Sequence, residues 1–403
     1  MMRRMIRRFL AALVFIAAPA AAQETAPPPS AVVVAFDRES ITPLIVEGLA
    51  NKETGRALEA NDPVRIASIS KLIMALTALR LADEGKVDLT RDVADYLGWK
   101  LRSPYHPNAP VTLTDLLSHR AGLSDKAGYS IPLGESLEAK LSDPAAWREV
   151  GPPGEAAFEY ANLGSPIVAT ALEAASGERY DLLVERLVFT PLGVKACFNW
   201  IGCGPDMEAR AVTLYRHTGE VAADGTDRLP PACTIPVAQG QACNLDAYAP
   251  GTNASIFSPQ GGVRIGMMDL AKIGRALFGL QYGDADGFLS PGTAQLMMWS
   301  LAKGTTEDET FFCTYAMHLQ FIEQPGRSCS DDKLFTDGIP RIGHSGEAYG
   351  LQSGLWVDPK SDAGFAYFLT EAAPPPGGED TGGFTPREKA LIVRALGMMA
   401  AKP

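Results

Sequence analysis

Residues 65–85 read Arg65-Ile66-Ala67-Ser68-Ile69-Ser70-Lys71-Leu72-Ile73-Met74-Ala75-Leu76-Thr77-Ala78-Leu79-Arg80-Leu81-Ala82-Asp83-Glu84-Gly85. Beyond the first turn only Thr77, Arg80 and Asp83 are polar before Glu84, which predicts a helix over 68–84 buried on nearly all sides. Gly85 suits the position just past its end. The helix opens with Ser68-Ile69-Ser70-Lys71, an S-x-x-K sequence. Residues three apart share a helix face, so the Lys71 amine can reach the Ser68 hydroxyl one turn back. A serine in the first turn also sits among unpaired amides that favour developing negative charge. S-x-x-K recurs at Ser300–Lys303 and Ser330–Lys333, and a serine at this place could simply cap the helix. Only the Ser68 copy opens a strongly apolar helix.

Outward from this helix, the chain begins with strands. Ala31–Phe36 is an apolar, β-branched run, and Leu44–Gly48 is its expected hairpin partner across the polar stretch Asp37–Thr42. Helical patterns follow at Thr112–His119, Pro166–Ala175 and Tyr180–Phe189, the last closed by Thr190-Pro191-Leu192-Gly193, and another spans Met267–Phe278. Residues 204–250 are rich in Gly, Pro and small polar residues and read as an irregular excursion. Strand-like runs return at Leu351–Val357 and Gly364–Leu369, and Thr385-Pro386-Arg387-Glu388 starts a final helix over about 386–400. The expected fold is α/β (α+β): one antiparallel sheet flanked by helices and built from both chain ends, with a mainly helical region inserted. Residues 31–95 and 255–403 would form the sheet part, and 96–254 the insertion.

Two further motifs carry chemistry. Tyr160-Ala161-Asn162 is the one Y-x-N in the chain. A phenol is a poor base unless a neighbouring cation stabilises its phenolate, and a lysine can do so. Asn162 offers an amide to orient a substrate carbonyl, although a core tyrosine beside a capping asparagine gives the same pattern. Gly343-His344-Ser345-Gly346 precedes the strand at Leu351, and its small residues let a substrate lie close to the backbone. No G-x-S-x-G elbow, H-E-x-x-H or paired-carboxylate constellation occurs, which disfavours an α/β-hydrolase, a zinc protease or a glycosidase.

The 403 residues are 46% hydrophobic and 21% charged, an ordinary globular composition, and the formal charge of −11 argues against a nucleic-acid partner. Arg3, Arg4, Arg7 and Arg8 precede the apolar run Phe9–Ala18, then Pro19 and Ala20-Ala21-Ala22. That order reads as a secretory signal peptide over 1–22, followed by a flexible tether over 23–30, and points to a periplasmic or secreted protein with no stable membrane anchor after cleavage. Cys197, Cys203, Cys233, Cys243, Cys313 and Cys329 are even in number and suit an oxidising compartment. The economical pairing joins sequence neighbours, 197–203, 233–243 and 313–329, although free thiols or another connectivity satisfy the same count. No histidine stands at ligand spacing to these cysteines, so a structural zinc site is not expected.

Taken in order, S-x-x-K, Y-x-N and H-x-G resemble the serine β-lactamase-like family, which includes class C β-lactamases, D-alanyl-D-alanine carboxypeptidases, D-aminopeptidases and related esterases. Arg65–Lys71 resembles its nucleophile segment, Glu84-Gly85-Lys86-Val87-Asp88-Leu89 the turn after its helix, and Leu116-Leu117-Ser118-His119 with Gly122-Leu123 its "LLSHTSGL" block. Pro191-Leu192-Gly193, Gly261-Gly262 and Asp269-Leu270-Ala271 fall in the family's order as well. The resemblance implies a β-lactamase/transpeptidase-like, penicillin-binding-protein-like fold. It also implies an acyl-enzyme on Ser68, with Lys71 and Tyr160 sharing the proton work as a coupled pair. By the same resemblance, backbone amides of Ser68 and Glu347 form the oxyanion hole, and Asn162, His344, Ser345 and Gly346 line the cleft for a small-molecule or peptide substrate. Hydrolysis then needs neither metal nor organic cofactor. His344 stands where class C β-lactamases carry lysine, and a mostly neutral imidazole weakens the attraction for a substrate carboxylate. The expectation therefore leans to an esterase, amidase or D-amino-acid peptidase. A true β-lactamase or carboxypeptidase, and an inactive penicillin-fold protein that binds cell-wall fragments, are the alternatives. The segments 197–250 and 313–333 and the acidic block Glu371–Asp380 are additions to the motif blocks, either walls of the site or tolerated surface insertions.

Overall fold

A computed structural model describes residues 28–222, 235–283, 285–299, 311–326, 329, 332–335, 337–373 and 383–400. The leader over 1–22, most of the tether, Cys233, Ser300, Lys303, Ser330 and the greater part of the acidic block lie outside the described residues.

The main sheet has six antiparallel strands: β1 (Ala31–Phe36), β2 (Ile41–Glu47), β6 (Gln320–Ile322), β7 (Arg341–Ala348), β8 (Leu351–Asp358) and β9 (Ala363–Leu369), in the order β2-β1-β9-β8-β7-β6. The first and last strands of the chain are direct neighbours, with Ala31 opposite Leu369 and Phe36 opposite Gly364. The sheet is thus built from both chain ends, as expected. β1 is apolar without alternation because it is covered on both faces. Val32, Val34 and Phe36 point into the main core, while Ala31 and Val33 face the C-terminal helix Pro386–Ala400 through Leu391, Ile392 and Ala395. β2 starts three residues earlier than the sequence suggested, at Ile41, because Pro43 is tolerated in this edge strand. The strands β6 and β7 were not expected. Their apolar runs are too short or too interrupted by glycine and polar residues to stand out.

A second sheet holds three short strands, β3 (Val64–Arg65), β4 (Ala196–Phe198) and β5 (Val263–Ile265), in the order β3-β5-β4. β3 leads into helix α1 (Ile69–Asp83), whose residues are all buried except Arg80, Ala82 and Asp83. Gly85 follows at φ +69°, the left-handed closure the sequence indicated. Helix α2 (Leu113–Leu117) is held by a reciprocal capping box between Thr112 and Asp115, worth roughly 1 kcal/mol. Helix α3 (Gly164–Ser176) starts two residues after Asn162 and ends on Gly177 at φ +74°. The expected helix over 180–189 is one turn of α-helix, Tyr180–Val184, that widens into a π-turn over Glu185–Phe189.

Candidate active site

The segment Arg65–Ser68 is a tight handover from β3 to α1. Ala67 takes φ +47°, unusual for a residue with a Cβ, and Ser68 follows as the residue before the helix with no side-chain capping bond. The Ser68 hydroxyl is therefore not consumed by the helix end. It faces Lys71, which is completely buried. Lys71 Nζ lies 3.1 Å from Ser68 Oγ, 2.8 Å from Asn162 Oδ1 and 3.2 Å from the Gln260 carbonyl. Burial pushes the amine down to about 7 against the opposing pull of the Asp125 carboxylate. A neutral lysine keeps two N–H bonds, enough for Asn162 Oδ1 and Gln260 O, and its lone pair then faces Ser68 Oγ.

Tyr160 and Asn162 close this arrangement from the loop before α3. Lys71 Nζ sits 4.7 Å from the centre of the Tyr160 ring. The phenol oxygen is shielded from solvent and has no hydrogen bond in good geometry. Burial raises it well above the usual tyrosine range, with the nearby Ser68 hydroxyl pulling the other way. Asn162 is fixed by Asp125, whose carboxylate accepts from Asn162 N and Nδ2 and from Leu163 N, each at 2.9 Å. One carboxylate thus caps the start of α3 and aims the Asn162 carbonyl oxygen at Lys71.

The third side is β7. Gly346 packs so tightly on the segment leading into Ser68 that a Cβ there would fall 2.3 Å from the Ile66 carbonyl and 2.4 Å from Ser353 Oγ. Glu347, the next residue of the strand, lines the same cavity as Ser68. Ser68, Asn162, Ser345, Gly346 and Glu347 line a cavity of about 1260 Å³, together with Arg65, Arg216 and the aromatic side chains of Tyr160, Phe311, Phe312 and Phe384.

His344 corrects the expectation that it lines the cleft. It is completely buried and absent from the cavity wall. Its Nε2 lies 2.9 Å from Tyr315 Oη and its Nδ1 2.5 Å from the Ser345 carbonyl. Burial and the neighbouring Lys71 push it down to about 3, so it stands neutral behind the site. The captor, Tyr315, lies in the segment between Cys313 and Cys329, which are joined by a disulfide, as are Cys197 and Cys203. Cys243 is also disulfide-bonded. Sequence reasoning missed Asp125, Gln260 and Tyr315 because they sit in irregular segments without periodicity. Among them only the Ser124-Asp125 pair, a cap-like start to a 3₁₀ turn, left a readable sign.

The family model described as Beta-lactamase matches residues 18–384. The chain belongs to that family. Within it, the chain is 26% identical over 359 residues to penicillin-binding protein 4 of Amycolatopsis lactamdurans, covering 88% of this chain and 82% of that protein. It is 32% identical over 140 residues to the D-alanyl-D-alanine-carboxypeptidase/endopeptidase AmpH of Escherichia coli K12, covering 33% of this chain and 35% of AmpH. The D-amino acid amidase of Ochrobactrum anthropi complexed with L-phenylalanine amide superposes with TM-score 0.64 at 17% identity, over 92% of this chain and 94% of that one. That last likeness speaks for the fold alone. Among the described residues no helix is long and apolar enough to cross a membrane.

Proposed function

We propose that the protein is an exported serine hydrolase that cleaves an ester or amide through an acyl-enzyme on Ser68. One observation carries this reading: Ser68 Oγ stands 3.1 Å from a completely buried Lys71 amine that burial holds near neutrality. Neutral Lys71 takes the hydroxyl proton as Oγ attacks the substrate carbonyl. The oxyanion is received by the backbone amides of Ser68 and Glu347. Lys71, now charged, returns its proton to the leaving alcohol or amine, and water releases the acyl group by the same steps in reverse order. Lys71 rather than Tyr160 acts as base, because the surroundings make the amine easier and the phenol harder to deprotonate. Tyr160 contributes as a neutral hydroxyl beside Oγ. Export is supported by the basic-apolar leader and by the disulfides, which persist in oxidising compartments.

The neutral, buried His344 supports an ester, amide or D-amino-acid peptide substrate over a β-lactam, since no cation stands at the third motif. A carboxylate-bearing substrate is favoured by a different observation, the presence of Arg65 and Arg216 in the cavity wall. A panel of p-nitrophenyl butyrate, a cephalosporin and a D-alanyl-D-alanine peptide separates these readings. Turnover of the ester, lost in Ser68→Ala, is the expected result. Preferred turnover of the peptide moves the assignment to a carboxypeptidase. Saturable binding of a muropeptide with no turnover of any compound overturns the hydrolase in favour of a binding protein.

A further inference from the structure

Behind the catalytic groups lies a buried cluster that the mechanism does not use: His119 and His318, almost sealed from solvent, and Tyr315 and His344, completely sealed. Hydrogen-bond bookkeeping fixes the protons on each ring. The Ala161 amide donates to His119 Nδ1 at 3.1 Å, so the His119 proton is on Nε2. At the other end the Ser345 carbonyl can only accept, so His344 Nδ1 carries the proton and His344 Nε2 is left to accept from the Tyr315 hydroxyl. Tyr315 Oη, having donated, accepts from His318 Nδ1 at 3.2 Å. His318 Nε2 is then a bare lone pair and His119 Nε2 an N–H. Among the described residues neither atom makes a hydrogen bond, to the other ring or elsewhere, and the two rings are 4.9 Å apart, centre to centre. A buried donor and a buried acceptor left over on neighbouring rings are complementary, and a small rotation of either ring would pair them.

We infer that these four side chains form one hydrogen-bonded chain of fixed direction, running from the backbone of Tyr160-Ala161-Asn162 to that of His344-Ser345-Gly346, and that Tyr315 and His318 are positioning residues for the reaction proposed above. Two of the three motifs are thereby tied to each other through the floor of the site. The ring of His119 also lies 4.5 Å from that of Tyr160, on which Phe312 stacks at 4.6 Å. A shift in the chain therefore moves Tyr160 as well as Ser345. Both His119 and His318 sit at positive φ, +55° and +50°, backbone conformations uncommon for residues with a Cβ. Burial and the charge of Lys71 keep both imidazoles neutral, so the direction of the chain is stable across ordinary pH.

The inference rests on the serine-hydrolase reading for its effect on rate, and its geometry can be tested without it. The chain has five histidines, so the full-length protein labelled with ¹⁵N-histidine gives a countable spectrum. His344 and His318 are expected as Nδ1–H tautomers and His119 as Nε2–H, all three neutral at neutral pH, and Tyr315→Phe should move the His344 and His318 signals together. An Nε2–H tautomer at His344 or His318 overturns the chain whether or not the protein turns over any substrate. In kinetics with p-nitrophenyl butyrate, Tyr315→Phe keeps the ring and should lower kcat about 10- to 100-fold with KM within about twofold. His318→Asn keeps a donor toward Tyr315 and tolerates positive φ, and is expected to retain more activity than Tyr315→Phe. The double variant should be no worse than Tyr315→Phe alone. A folded Tyr315→Phe with kcat within twofold of the parent, or single effects that multiply in the double variant, overturns the positioning role. Wild-type protein that neither turns over the ester nor is labelled at Ser68 refutes the hydrolase reading and leaves the tautomer result to decide the chain by itself.

Discussion

Lys71 concentrates the chemistry of the site into one titration. Its amine is buried beside a hydroxyl, an amide oxygen and a main-chain carbonyl, with Asp125 as the nearby anion acting on it. As the proposed base, Lys71 is competent only when neutral. Activity should therefore be low below the lysine pKa and rise through about pH 7, and kcat/KM for a neutral ester should show an acid limb near that value. His344, pushed down to about 3, adds no second limb in this range. Asp125→Asn removes the anion that favours charged lysine, so the limb should move to lower pH even as the poorer fixing of Asn162 reduces the rate. A limb that stays put or moves upward contradicts this assignment of Lys71. Ser68 and Lys71 were legible in the sequence because three residues along a helix is a fixed geometry. The fate of His344 was not, since a strand residue's partner is set by whatever packs on that face, here a tyrosine from another segment.

At the scale of elements, β7 and the segment between Cys313 and Cys329 do most of the positioning. Gly346 exists as glycine because the strand touches the segment leading into Ser68 there, with the Ile66 carbonyl and Ser353 Oγ occupying the space of a Cβ. Gly346→Ala should leave a folded protein with kcat/KM lowered about 100-fold, since a displacement of the order of 1 Å between Ser68 and the Glu347 amide costs that much. Unchanged kinetics would show that the contact does not set the site. The cysteine loop over 313–329 delivers Tyr315 to His344, and Gln320 beside it accepts from Ser345 Oγ at 3.1 Å. Cys313→Ser/Cys329→Ser should lower kcat about tenfold by loosening that segment, whereas Cys197→Ser/Cys203→Ser should stay within about twofold. Equal effects of the two pairs would mean that the disulfides act on global stability alone. The sequence marked this loop only by its cysteines, and its composition did not distinguish a wall of the site from a surface insertion.

For the whole molecule, the two chain ends meet in one sheet, and that sheet supports the cleft from behind. β1 is paired with β9 along its full length, and the C-terminal helix covers their outer face through Leu391, Ile392 and Ala395. This much followed from the apolar run at 31–36, the later strand runs and the Thr385-Pro386 helix start, because local pattern and burial agree there. The handover strands of the second sheet, two or three residues long, were beyond pattern reading. Ile392→Ala, remote from Ser68 but in the core, should cost about 2–4 kcal/mol in denaturant unfolding while native-state kcat/KM stays within about twofold. A large kinetic effect without loss of stability would mean that the helix belongs to the site rather than to the frame.

The central claim is that Ser68 is the atom acylated, and it is tested most directly by intact-mass and peptide mapping after reaction with a fluorophosphonate. One adduct per chain on the peptide bearing Ser68, formed faster as pH rises through about 7 and absent in Ser68→Ala, is the predicted result. An adduct on a different serine, or undiminished ester turnover by Ser68→Ala, would contradict it.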